Sequence, residues 1–170
     1  MKLTEFERLS LYNQYEIMKS LENGNQKDYE NYQTILKEGN EGLYYELGDF
    51  SEYIPKSIYD ETCDILTMFR YITSSLEKLS SEEKEKLNTH ILSFEGFDGN
   101  NDLHYSVLST TKDLNSNKWE EVKILNSHSS MSLLRYKGMM ACLKDMNKNR
   151  EELTFEDLDY LCKNWHNYEV

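Results

Sequence analysis

The residues best placed to do chemistry fall in one stretch, Phe94-Glu95-Gly96-Phe97-Asp98-Gly99-Asn100-Asn101. Gly96 and Gly99 permit positive φ without a Cβ penalty. Asp98-Gly99 is a turn dipeptide. Asn100 and Asn101 can bond nearby backbone or cap a helix that begins near Asp102. Phe94 and Phe97 are too apolar to stay in water, so they are expected to pin the turn to a core. Such a turn can simply join two helices, which is the commoner use. It can also present Asp98 and the asparagines to a ligand or partner, because function collects on loops held by a rigid scaffold. Arg135 adds to the same site. At 100° per residue it points with Met139, Cys142 and Met146, on the apolar side of its helix. A buried guanidinium needs a partner, and Asp98 is predicted to supply it in bidentate fashion. Asn100, Asn101 and His128 would then ring the pair. Asn13 falls on an apolar face of the first helix and is expected to be hydrogen-bonded.

Other chemistries find less support. Asp98, His104 and His128 could be imagined around a metal, but no HExxH, CxxC or EF-hand spacing exists. No metal and no cofactor are predicted. Ser127-His128 are adjacent without a nucleophile elbow. Cys63 has no basic neighbour in sequence to lower its pKa. No catalytic residue is assigned, and the balance leans away from an enzyme without excluding one. Lys137, Lys144 and Lys148 share a helix face, and the span from Arg135 to Arg150 is basic. Yet the chain carries a net charge of -12, which opposes a phosphate backbone. Nucleic acid is not an expected partner. The basic strip reads as a solvated face, or as a contact for an acidic protein surface such as another copy.

These groups must be positioned by helices. One proline and seven glycines in 170 residues leave few helix breakers. Thr4-x-x-Glu7 is a capping box that opens the first helix. Leu11, Tyr12, Tyr15 and Met18 form one face of it. Phe6, Leu9, Ile17 and, less closely, Leu21 form another. A helix apolar on both sides is sandwiched between layers or covered by a second subunit. Glu22 to Asn25 stops it. A second helix runs from about Gln26 to Glu38, with Gly39 at its C-terminal end. Glu41 to Leu47 reads as a short helix ended by Gly48, and Asp49 to Pro55 as loop. The longest stripe joins Ile58, Thr62, Ile65, Met68, Phe69, Ile72, Leu76 and Leu79 in a helix over about 57–79. Ser80 to Lys86 is charged, a helical turn or a solvated loop. Leu103, Val107, Thr111 and Leu114 define a further helix that Asn115-Ser116-Asn117 ends. Trp119 to Leu125 fits either a short helix or extended chain. Helices over about 131–147, facing inward with Tyr136, Met139, Leu143 and Met146, and from Thr154, with Leu158, Leu161 and Trp165, complete the chain. The odd, widely spaced Cys63, Cys142 and Cys162 suit a reduced compartment. The N-terminal residues lack an apolar leader, and no run reaches the length of a membrane span. A cytoplasmic chain with no membrane contact is expected.

Several segments carry a family resemblance. They are Glu7-Arg8-Leu9 with Tyr12-Asn13-Gln14-Tyr15, Tyr32 to Gly39, Glu61 to Leu66, and the Phe94 to Asn101 turn. Asn126-Ser127-His128, Arg135-Tyr136 and Leu153-Thr154 to Leu161 follow in order. Over roughly residues 3 to 162 the chain resembles the YfbU family of bacterial proteins. The resemblance implies a cytoplasmic, all-helical single domain, and it carries no catalytic residues with it. Some relatives have a DNA-binding extension ahead of the domain, and none is expected here. The chain departs from the family pattern in the charged Ser80 to Lys86 stretch. It also has Leu125 where an aromatic is expected before Asn126.

The combined expectation is an all-α array of about six to eight helices, forming a single domain over residues 1–170. It is expected to be a binding module, acting as a homodimer or with a protein partner. The alternative is a small enzyme or ligand sensor whose polar pocket surrounds Asp98 and Arg135, its small-molecule ligand unspecified.

Overall fold

The computed structural model describes residues 2–21, 25–48, 53–114, 122–123, 125–148 and 151–168. The stops expected at 22–24 and 115–117, the loop at 49–52, most of the 119–125 segment and Arg150 lie outside the described residues. Every regular element among those described is helical, so the protein is all-α. The chain forms two compact units, Met1–Tyr53 and Ile54–Val170.

The first unit holds α1 (Glu5–Ser20), α2 (Gln26–Glu38) and a 3-10 helix, Glu41–Leu47. Thr4 and Glu7 close the expected capping box at the start of α1. Gly39 ends α2 in the left-handed region, at φ 66°. α1 and α2 pack as a hairpin. The rings of Tyr15, Tyr29 and Tyr32 gather between them, with centroids 5.2–6.5 Å apart. Gln33 is buried and fully used: its Nε2 donates to Tyr12 O and Glu16 Oε2, and its Oε1 accepts from Lys19 Nζ. Only one face of α1 is engaged in this way. Phe6, Leu9, Ile17 and Leu21, on the other face, are 60–79% exposed. Within the first unit no described element packs over that second face of α1.

The second unit holds α3 (Lys56–Lys78), α4 (Ser81–Lys86), α5 (Leu103–Asp113), α6 (Ser130–Asp145) and α7 (Phe155–Asn164), which runs on into a 3-10 turn, Trp165–Asn167. α3 is the spine. Thr62, Ile65, Met68, Phe69 and Ile72 of the predicted stripe are buried, together with Leu66 and Ser75. The core also takes in Leu92, Phe97, Leu108, Tyr136, Met139, Leu158 and Leu161. Ser80 to Lys86 is a capped helical turn, with Ser80 and Glu83 bonded reciprocally. α5 corrects the expected face. Leu103 and Leu114 are exposed, while His104, Val107 and Leu108 are buried. The helix is rolled by about one residue because His104 is drawn inward, where it stacks on Phe97 with centroids 5.3 Å apart.

Candidate functional site

The Phe94 to Asn101 turn is clasped from two sides. Phe94 and Phe97 meet Tyr136 and each other, with centroids 5.3–5.9 Å apart. Such aromatic pairs add about 0.5–1.5 kcal/mol beyond area burial. The Tyr136 hydroxyl accepts from Glu95 N at 2.9 Å and donates to Gly96 O at 3.0 Å. Its burial raises the phenol pKa, so it stays protonated and able to donate. On the other side the turn pairs with the segment before α6. Phe97 and Asn126 form an isolated parallel bridge, and Ser127 N donates to Phe97 O at 3.0 Å. The Asn126 side-chain oxygen accepts from both Gly99 N and His128 N, at 3.1 and 3.0 Å. Gly96 sits at φ 93°, and a Cβ there would lie 2.0 Å from Leu125 O. Only glycine lets these two strands of chain come so close.

The expected Arg135–Asp98 pair does not form. Arg135 is buried, as its position required, but its Nη2 donates to Glu95 Oε2 at 2.9 Å and to Ser93 O at 3.3 Å. The other Glu95 oxygen lies 3.1 Å from His90 Nδ1. Asp98 is also buried, but its carboxylate turns back on its own loop. Oδ1 accepts from Asn100 N at 3.0 Å and Oδ2 from the Asn101 side-chain amide at 2.7 Å. The local bonds win because the Asx turn places both donors within three residues. The bond from Asn101, then that from the Asn100 N–H, holds the Asp98 pKa below its ordinary value. Asn100, Asn101 and His128 are exposed beside it, and His128 has a positive φ of 50°. Asn13 lies in the first unit. It is exposed on α1, and among the described residues it does not make the hydrogen bond expected of it.

Sequence reasoning missed a second polar cluster. His104 Nε2 lies 2.8 Å from Glu61 Oε2, and Lys137 Nζ lies 3.1 Å from Glu61 Oε1. This ties α5 and α6 to α3. Burial pushes the Glu61 carboxyl up, but the hydrogen bonds from His104 and Lys137 outweigh it, and the net shift is downward. Sequence spacing offers no signal for three residues on three helices. Two members of the expected basic strip are neutralised: Lys137 by Glu61, and Lys148 by Asp157 at 3.6 Å. Ser127 Oγ is spent on Ser129, donating to its carbonyl and accepting from its N–H. Cys142 and Cys162 have pKa values raised by burial, the reverse of a reactive thiol. Among the described residues no group of three or more His, Cys, Asp or Glu side chains is arranged to hold a metal. No helix among them is long and apolar enough to cross a membrane.

Asp98 and Glu61 both have depressed folded-state pKa values. Their stabilising contribution is present above the unfolded-state pKa of about 4 and is lost as pH falls through the folded value. The thermal midpoint is expected to be flat from neutrality to about pH 5 and to drop below about pH 4. In Asp98→Asn and Glu61→Gln variants the acid limb should be shallower, and a limb unchanged in both would contradict the assignment.

A cavity of about 950 Å³ lies beside the clasp, and Leu66, Phe69, Arg70, Leu92, Phe94 and Lys123 are among the residues that line it. Neither Asp98 nor Arg135 lines it.

A curated relative, UPF0304 protein MJECS11 of Methanocaldococcus jannaschii, is 36% identical over 104 residues. The chain spans 61% of that relative's length, and the match covers 61% of this chain. That source is an archaeon, so the resemblance is not confined to bacterial proteins. No solved structure matches the chain. The YfbU domain model matches residues 1–163 and so takes in α1, the clasped turn and all but the last residue of α7, and the chain belongs to the YfbU family.

Proposed function

We propose that the protein is a binding module that pairs with a second copy through the exposed face of α1. The observation that carries this reading is the stripe Phe6, Leu9, Ile17 and Leu21, each at least 60% exposed. Between Phe6 and Leu21 the side chains within about 60° of the stripe centre include Ser10, Asn13 and Ser20, and none is charged. In a chain of net charge -12, an uncharged apolar strip is where two copies can meet without repulsion. The stripe is also near-symmetric about Asn13. Leu9 and Ile17 lie four residues to either side. An antiparallel, two-fold pairing would set Leu9 against Ile17 of the second copy and each Asn13 against its counterpart. This is the self-complementarity that a two-fold interface requires, and a polar residue at its centre fixes register.

Burying these side chains from both copies contributes on the order of 10–15 kcal/mol gross, against an association cost of about 4–15 kcal/mol. Micromolar rather than nanomolar affinity is expected. Sedimentation velocity should show a concentration-dependent dimer that the double variant Leu9→Glu, Ile17→Glu abolishes. Because both positions are exposed, its circular dichroism should be unchanged. A wild-type chain that stays monomeric at high micromolar concentration would sink the proposal. So would a dimer that ignores the double variant. The rival reading, an enzyme or sensor built on Asp98 and Arg135, has less support, because both side chains are committed to partners within the fold.

A further inference from the structure

Asp98-Gly99 is the only Asp-Gly step in the chain. Such a step is chemically labile, because glycine has no side chain to shield its nitrogen. The Gly99 nitrogen attacks Asp98 Cγ and expels water, closing a five-membered succinimide. Water then opens the ring at either carbonyl. Opening at the former main-chain carbonyl leaves isoaspartate, in which the main chain runs through Cβ and carries one extra backbone atom. The water lost in the first step is returned in the second, and no oxidant or cofactor is needed.

The clasp opposes this reaction at each reacting group. A succinimide has no N–H on Gly99, so the bond to Asn126 Oδ1 at 3.1 Å must be given up. It keeps only one of the two side-chain oxygens of Asp98. Either the bond from Asn100 N to Oδ1 or that from the Asn101 amide to Oδ2 is therefore lost as well. The Asp98 carbonyl is also held, accepting from Asn101 N at 3.3 Å and from Asp102 N at 2.8 Å. The carboxylate is a poorer electrophile than the neutral acid, and the bonds from Asn101 and Asn100 keep it ionised. Asp98 is buried besides, away from the water that opens the ring.

We infer that Asp98 is a modification site guarded by Asn126: the closed clasp withholds Asp98-Gly99 from succinimide chemistry, and opening the clasp commits it to isoaspartate. The change runs one way. Asn126 Oδ1 and Ser127 N, on adjacent residues, bond to Gly99 N and Phe97 O across Asp98. An extra backbone atom at Asp98 spoils that spacing, so an isomerised clasp does not close as before. None of this involves α1 or the pairing of two copies.

The test follows isoaspartate at position 98 in the full chain at neutral pH, in buffer and in unfolding urea. The tryptic peptide Leu87–Lys112 carries the site, and electron-transfer fragmentation tells the β-linkage from the normal one at equal mass. The unfolded chain should accumulate isoaspartate at least about tenfold faster than the native chain, since only the open state reacts. Folded Asn126→Ala should react roughly three- to tenfold faster than the wild type, because the acceptor of the Gly99 N–H is gone. In the wild type at low urea, isomerisation should rise in step with hydrogen exchange at the Gly99 amide, which reads the same opening. That arm decides the matter if Asn126→Ala does not fold. The inference is overturned if native and unfolded chains react at equal rates. It is also overturned if a folded Asn126→Ala reacts no faster than the wild type, or if isomerisation does not follow Gly99 exchange.

Discussion

Glu95→Ala is expected to destabilise the second unit by roughly 2–4 kcal/mol. This falls between the cost of breaking a buried ion pair, about 3–5 kcal/mol, and the value of an exposed one, about 1 or less. The Arg135 side chain is 10% exposed and that of Glu95 29%, so the pair sits nearer the buried limit. Among the described residues, removing Glu95 leaves the Arg135 guanidinium with the Ser93 carbonyl and the face of the Tyr136 ring, 5.2 Å away. Its Nε is already without a partner among the described residues. Arg135→Ala should cost less than the sum of its lost contacts, because it removes the buried charge as well. A double-mutant cycle in urea should therefore show strong coupling between positions 95 and 135. Asp98→Ala and Arg135→Ala should be close to additive, since their side chains bond to different groups. Coupling of Arg135 to Asp98 and not to Glu95 would reverse the geometry described above.

Gly96→Ala is expected to be comparably damaging, at roughly 2–5 kcal/mol. An alanine at φ 93° stores about 1–3 kcal/mol of backbone strain. Its Cβ would also lie 2.0 Å from the Leu125 carbonyl oxygen, and overpacking of that kind adds about 1–3 kcal/mol. The obstacle is backbone, so nothing can rotate aside. Gly39→Ala is the matched control. That glycine also has positive φ, but the atom in the way is the tip of the Arg8 side chain, which can move. Only the left-handed penalty remains, about 1 kcal/mol. Thermal melts of the two variants should differ by several degrees. Equal loss in both would mean that the close approach of Gly96 to Leu125 contributes nothing.

What could be read from the sequence was whatever a single helix encodes. The α3 stripe, the Thr4 and Thr154 capping boxes and the Gly39 terminus each lie within a few residues of their cause. So does the anchoring of Phe97, because an aromatic between two turn glycines has nowhere else to go. The partner of Arg135 was not legible. Asp98 and Glu95 are both acids in one loop, and the choice between them turns on the Asn100 N–H and Asn101 amide competing for Asp98. Helical periodicity gave no warning that His104 would be buried, since histidine counts as polar in any stripe. Its position depends on Glu61 and Lys137, from helices more than thirty residues away on either side. The two apolar faces of α1 were read correctly as sequence, but a sequence pattern does not say which face the fold leaves open.

The Asn126 side chain, which holds Gly99 and His128 together, has a consequence for the order in which the chain folds. The α1–α2 hairpin closes between near neighbours, and helical hairpins rich in local contacts form within microseconds to milliseconds. The clasp instead joins residues 27 to 42 positions apart. The chain between them must be brought back before any of its hydrogen bonds can form, and the closure entropy is lost first. The clasp is thus expected to set after the α1–α2 hairpin, and substitutions that weaken it should leave the formation of that hairpin unchanged.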